Sequence, residues 1–210
     1  MSAVGAVDAV RLRGVTRRFG EHVVLDGLDL ELPVGRVTAL MGPNGSGKTT
    51  VGRLLLGLDR PDAGAVEGLD GRPRSAVFQE DRLCPQLSAV ENVRLVLGRG
   101  ADRAAVVRAL EAVGLDDAAV HAPVRELSGG QRRRVAIVRA VLADADLVVL
   151  DEPFTGLDQA VKPVTMAWVR AGCAGRTVLL VTHDEREAAW FDAQVVHLGD
   201  DAGKVPAVRG

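Results

Sequence analysis

Gly42-Pro43-Asn44-Gly45-Ser46-Gly47-Lys48-Thr49-Thr50 spaces its residues as G-x-x-x-x-G-K-T, the pattern of a loop that cradles phosphates. Its glycines permit conformations and close approaches that a Cβ would prevent, so consecutive N–H groups can turn toward phosphate oxygens. A helix starting at Lys48 adds the positive end of its dipole, equivalent to about half a charge. In such a loop Lys48 reaches the β and γ phosphates and the Thr49 hydroxyl ligates Mg²⁺. The flanks agree. Val37 to Met41 is an apolar strand before the loop, and Val51, Leu54, Leu55 and Leu58 fall at i, i+3, i+4 and i+7 after it, with Pro61 as the stop.

Outward from the loop the pattern changes twice. Leu28, Leu30 and Leu32 alternate with Asp29 and Glu31, as in a half-buried strand of an antiparallel sheet that begins near Val10 to Val15. Leu147 to Leu150 and Val178 to Val181, like Val37 to Met41, are short uninterrupted apolar runs, expected of strands covered on both faces in a parallel sheet. Val106, Ala109, Leu110 and Val113 mark a helix that Gly114 ends. From Leu83 to Leu127 helical periodicity continues without a strong strand. The pattern predicts an α/β core with a helical insertion.

Composition narrows the function classes. The chain has 210 residues, 26 Lys+Arg against 28 Asp+Glu, a net charge of −2, and 47% apolar residues, which suits one domain or one domain with a small lobe. That balance lacks the basic footprint of a nucleic-acid binder. Aromatics at 3% with no Tyr argue against a base-stacking surface. The run Arg132-Arg133-Arg134 reads as a solvated helix face. Cys84 and Cys173 show neither metal nor disulfide spacing, which predicts a reducing compartment. No stretch approaches the roughly 18 apolar residues of a membrane span, and Met1 to Val10 lacks the basic start of a secretory signal. These features predict a soluble, cytoplasmic chain.

Further residues carry chemistry. Asp151 follows Leu147 to Leu150 at a strand's C-terminal end, where open α/β sheets bind ligands. There it can hold Mg²⁺ through water. Glu152 comes next, placed to orient or deprotonate an attacking water. His183 follows the Val178 to Val181 strand on the same sheet edge, a setting that His22, His121 and His197 lack. Ser128 and Gln131 read as a capping box. Capping leaves Gly129 and Gly130, poor helix residues, unexplained. They form a second bare N–H surface suited to an anion. The two helix starts either bind separate ligands or close on one nucleotide across a dimer.

Together these residues resemble the ATP-binding subunit of ABC transporters, along nearly the whole chain and in the family's order. The resemblance implies a P-loop NTPase (RecA-like) α/β core with an antiparallel β-subdomain and an inserted helical subdomain. It implies one domain over 1–210, with β-subdomain and core at about 1–82 and 132–210 and the helical subdomain at about 83–131. ATP and Mg²⁺ are the implied ligands. Phe19 takes the place of the aromatic that stacks on adenine, and Gly42 to Thr50 is similar to the Walker A loop. Gln79 matches the Q-loop glutamine, which contacts Mg²⁺ and water and couples to the membrane subunit. Leu127 to Gln131 is similar to the signature motif, Asp151 and Glu152 to Walker B and its catalytic glutamate, Asp158 to the D-loop aspartate, and His183 to the switch histidine. The implied assembly is a head-to-tail pair in which each ATP lies between Lys48 of one chain and Ser128 and Gly130 of the other.

Within that resemblance, Val77 to Leu83 and Leu87 to Val93 are similar to importers of the nitrate, sulfonate and taurine group, where this segment docks on a coupling helix of the membrane subunit. With no fused membrane segment and 27 residues after His183, the expectation is a separate subunit. It would be paired with itself or another ABC subunit and held to the inner membrane face by permease subunits, with a solute-binding protein in the full system and no nucleic-acid partner. An exporter or lipoprotein-release subunit, or a soluble ABC ATPase acting on DNA or ribosomes, are the alternative readings. Some details depart from the family. Lys48 to Gln79 spans only 31 positions, which predicts a trimmed β-lobe hairpin after Gly64. Gln86 stands where the importer group often has Trp. Pro163 restricts where the next helix can begin.

Overall fold

β1 (Ala9–Phe19) and β2 (His22–Pro33) pair antiparallel, as the alternation predicts, with Leu12 opposite Leu30 and Val15 opposite Leu28. β4 (Ala63–Glu67) adds to the other side of β1, so the order of this sheet is β2-β1-β4. After β4 the chain goes directly to β5 (Arg74–Val77) in the second sheet, leaving Gly64 in a strand with no hairpin partner following it. The structure, a computed structural model, describes residues 8–98 and 100–199. The reading of Met1 to Val7 and the end of the core at 200–210 lie outside the described residues.

The second sheet is parallel, with order β5-β6-β7-β3-β8. Its members besides β5 are β3 (Val37–Met41), β6 (Leu147–Asp151), β7 (Thr177–Val181) and β8 (Gln194–His197). All residues of β6 and β7 are buried. Their period-2 alternation sends Leu147, Val149, Leu179 and Val181 into a core shared with the antiparallel sheet. Val148, Leu150, Val178 and Leu180 enter a second core with Phe154 and Met166. Uninterrupted apolar runs follow from burial on both faces.

α1 (Lys48–Leu55) follows the loop but ends one turn before Leu58, so extending the helix to Leu58 with Pro61 as its stop is wrong. Gly57 takes a φ of 69° and ends it. The Gly57 N–H donates to Leu54 O and the Leu58 N–H to Arg53 O, leaving Leu58 half exposed.

α2 (Ala89–Leu97), α3 (Arg103–Ala112), α4 (Asp117–His121) and a 3₁₀ turn (Val124–Glu126) make the helical lobe, and Gly114 follows the end of α3. α5 (Gly129–Leu142) joins lobe and core: Val135 and Val138 pack into the lobe, and Ile137, Ala140 and Val141 against the sheet. α6 (Lys162–Gly172) begins one residue before Pro163, which sits in its first turn where no intrahelical N–H is needed. α7 (Glu185–Trp190) precedes β8.

Arg132 to Arg134 do not form a solvated face. Arg133 and Arg134 are only 7% and 8% exposed. Arg134 donates to the carbonyls of Val113 and Gly114 at the end of α3 and to Gly130 O, so carbonyl acceptors replace water around the guanidinium.

Candidate active site

Four adjacent strands, β5, β6, β7 and β3, run parallel and deliver their C-terminal ends to one edge. Gln79 follows β5, Asp151 ends β6 with Glu152 after it, His183 lies two residues beyond β7, and the phosphate loop follows β3. Ligand sites gather at such an edge because loops diverge there while the strands fix their origins. A cavity of about 550 Å³ opens there, lined by Val24, Asn44, Gly45, Gly47, Lys48, Thr49, Thr50, Gln79, Asp151, Glu152 and His183.

The loop is built for close approach. Gly47 has a φ of 96°, and a Cβ there would meet Leu25 Cδ2 at 2.7 Å. Ser46 Oγ is buried without a hydrogen-bond partner. Lys48 is buried, its Nζ donating to Gly42 O at 2.8 Å and Pro43 O at 2.7 Å. No side chain caps α1, so its first N–H groups are not used by a local cap. An orphaned hydroxyl, an uncapped helix start and a cradle that a Cβ would fill suit a polyphosphate.

Thr49 Oγ1 donates to Asp151 Oδ2 at 2.9 Å, joining the loop to β6. Burial pushes the Asp151 carboxyl above its ordinary pKa, with the Thr49 hydrogen bond opposing. A hydroxyl and one carboxylate are hard oxygen donors, and Mg²⁺ is commonly bound by few protein ligands with water completing the shell. These residues therefore fit that cation.

Glu152 has a φ of 46°, a conformation that costs about 1–3 kcal/mol outside glycine. Its N–H donates to Val181 O on β7, and its carbonyl accepts from the Thr155 N–H and from Arg133 Nη2. The carboxyl faces His183 with Oε1 3.8 Å from Nδ1. The His183 ring is exposed. Behind it, buried Glu187 accepts from Thr182 Oγ1 and pairs with Lys162 Nζ at 2.7 Å.

Not every predicted residue meets the cavity. Phe19 is 49% exposed, with the Arg17 guanidinium 4.7 Å from its ring centre, and it does not line the cavity. Ser128, Gly129, Gly130 and Gln131 also lie elsewhere, at the start of α5. There Ser128 Oγ accepts from the Gln131 N–H, and the Ser128 N–H donates to Gln131 Oε1, completing the expected capping box. Gly130 lies beside Gly156, and Asp158 accepts from the Ala160 N–H.

The residues that sequence reasoning missed are Val24, Arg133, Lys162, Thr182 and Glu187. Val24 closes one wall from β2, which depends on how two sheets meet. Arg133 was visible as a charge, but its partners lie 19 to 55 positions away.

The ABC transporter family pattern matches residues 25–155. Aliphatic sulfonates import ATP-binding protein SsuB 3 of Paraburkholderia xenovorans (strain LB400) is 46% identical over 182 residues, 86% of this chain and 72% of that protein. Aliphatic sulfonates import ATP-binding protein SsuB 1 of Streptomyces avermitilis is 40% identical over 204 residues, 95% of this chain and 76% of that protein. A dimeric structure of a post-hydrolysis state of the ATP-binding cassette MJ0796 bound to ADP and Pi superposes with a TM-score of 0.82 at 30% identity, covering 96% of this chain and 99% of that one. Four loops on one sheet edge, in this order and with these likenesses, make the chain a member of the ABC transporter family, an ATP-binding cassette that hydrolyses ATP.

Proposed function

We propose that the chain drives import of a small solute, of the sulfonate class, through separate permease subunits on the cytoplasmic face of a membrane. Two copies, or this chain and a related cassette, would form the motor, and a solute-binding protein would deliver the cargo. The sulfonate-import relatives support the direction and the solute class. Among the described residues no helix is long and apolar enough to cross a membrane. Residues 83–131 form the lobe that meets the permease, with α5 belonging to lobe and core alike.

The observation that carries the reading is Glu152 facing His183 across the mouth of a cavity floored by Lys48, Thr49 and Asp151. Gly42 to Thr50 bind the phosphates, with Lys48 turning from its loop carbonyls to the β and γ oxygens. Thr49 and Asp151 would hold Mg²⁺ with Gln79, and the bound cation would draw charge from the phosphate oxygens. Glu152 accepts a hydrogen bond from the attacking water and aligns it with the γ-phosphorus. His183 contacts the γ-phosphate and holds Glu152 in place. Catalysis is then positioning and charge stabilisation. Phe19 offers its exposed ring to adenine. Ser128, Gly129, Gly130 and Gln131, with Asp158 nearby, face the ATP of the partner chain.

Glu152→Gln tests this. The variant is expected to bind ATP, to turn over at least about 100-fold more slowly, and to accumulate as an ATP-bound dimer in size-exclusion chromatography. Wild-type turnover in that variant would overturn the assignment.

A further inference from the structure

Arg133 sits on α5 five positions beyond Ser128, with its guanidinium buried between two loops of the site. Nη1 donates to Phe78 O and to Asp81 Oδ1 at 3.1 Å; Nη2 donates to Gln79 O at 3.1 Å and to Glu152 O at 3.3 Å. The Asp81 carboxylate balances its charge. The three carbonyl bonds are not needed for that balance, and they join the segment that carries Gln79 to the peptide that carries Glu152.

Glu152 makes the third of those bonds consequential. A left-handed φ outside glycine persists only where the surroundings over-determine it. The N–H of Glu152 is fixed by Val181 O on β7. On the carbonyl side the contacts are the Thr155 N–H of the same turn and Arg133. Arg133 is thus the link from that peptide to β5's loop and to the helix that starts at Ser128. Its planar fork has a fixed geometry, so displacement of Phe78 and Gln79 is passed to Glu152 rather than absorbed.

We infer that Arg133 is a positioning residue for hydrolysis, holding the Glu152 carboxyl toward His183 only while the Gln79 segment is in place. This rests on the role proposed for Glu152. It makes turnover depend on the position of residues 78–81, the stretch that leads into the helical lobe.

Arg139 provides the comparison. It lies on the same helix and clasps the same segment through Asp81 O and Arg82 O, at 2.9 and 2.7 Å. It makes no contact with Glu152. Steady-state ATPase kinetics and ATP binding are measured on the full chain for Arg133→Gln, Arg133→Lys, Arg139→Gln and Glu152→Gln. Arg133→Gln is expected to lower kcat by at least about tenfold, with KM for ATP within about threefold, since small misplacements cost up to about 100-fold. Arg133→Lys keeps the charge without the fork and is expected to lose about five- to tenfold on the same ground; it carries the test if Arg133→Gln does not fold. Arg139→Gln is expected to stay within about threefold because it leaves Glu152 fixed.

A kcat for folded Arg133→Gln within threefold of wild type would overturn the inference. So would an equal loss in Arg139→Gln, which would mean that both arginines merely staple the segment. If Glu152→Gln is inactive while Arg133→Gln is not, this inference alone fails. If Glu152→Gln is active, the reading of the site fails with it.

Discussion

Two helices of this chain begin in ways that invite an anion, and they differ in what surrounds them. α1 starts behind Gly47 with no side-chain cap, facing a cavity whose other walls come from β2 and from the ends of β5, β6 and β7 of the same chain. α5 starts behind Ser128 with its cap completed by Gln131, outside that cavity. The first start is surrounded by groups that can act on a ligand. The second has a satisfied local cap and no catalytic partner beside it. It resembles half of a site, and the pairing proposed above would put the other half on a partner chain.

The comparison breaks most visibly by complementation. Lys48→Met and Ser128→Arg should each leave a homodimer with less than about 1% of wild-type turnover, since loss of one preorganised contact costs about 100- to 1,000-fold. In a mixed dimer one site combines both lesions and the other combines Lys48 with Ser128 intact. An equimolar mixture is then expected to recover about a quarter of wild-type turnover, from half the dimers and one of their two sites, if the pair is symmetric. No recovery, where mixed dimers are shown to form, would mean that the two helix starts serve separate ligands.

The α1 site is also braced differently. Glu187 is buried behind His183 and depends on Lys162 and Thr182, whereas the Ser128 cap at the α5 start is made by neutral local bonds with Gln131. Lys162→Met leaves the Glu187 carboxylate with a hydroxyl as its remaining donor, an under-satisfied buried charge that costs about 2 kcal/mol. The melting temperature should fall by about 5 °C in a chain of this size. Adding Glu187→Leu should recover part of the loss, because removing both partners of a buried pair costs less than removing one. A double variant less stable than Lys162→Met would contradict this account.

What the sequence disclosed divides along the same line. The phosphate loop, the strand ending at Asp151 and the Ser128 capping box were legible because each is written within about nine consecutive residues. The parallel strands showed themselves as apolar runs because both faces are covered. The end of α1 was misread because Leu58 continued the apolar spacing, although Gly57 already carried the stop. Arg133 was misread for a different reason. A charged run has the same appearance on a solvated face and against buried carbonyls, and those carbonyls belong to Phe78, Gln79 and Glu152. The left-handed φ of Glu152 likewise arises from contacts with β7 and α5, which no local pattern encodes.

A smaller effect separates the two starts by stability. Ser128→Ala removes a cap and should cost about 1 kcal/mol, read as a lower denaturant midpoint with an unchanged slope. The α1 start has no side-chain cap to lose, so Gly47→Ala acts through φ and through contact with Leu25. Its cost should exceed that of Ser128→Ala, since both strain and overpacking are involved.

The smallest effect is read from the two thiols, one beside each region. Cys173 lies in the core beneath β6 and β7, and burial pushes its pKa up to about 11. Cys84 is exposed, in the segment whose main chain is held by Asn92. The thiolate is the reactive form, so a maleimide at pH 8 should label Cys84 and reach Cys173 only in denaturant. Folding raises the pKa of Cys173. Its contribution to stability is therefore complete below its unfolded value of about 8.5 and is lost as pH rises through about 11. Stability should decline over that window by less in Cys173→Ala than in the wild type. Equal labelling of both thiols at pH 8 in folded protein would mean that the core around Cys173 opens readily, and the account of a well-braced sheet beneath the α1 site would fall.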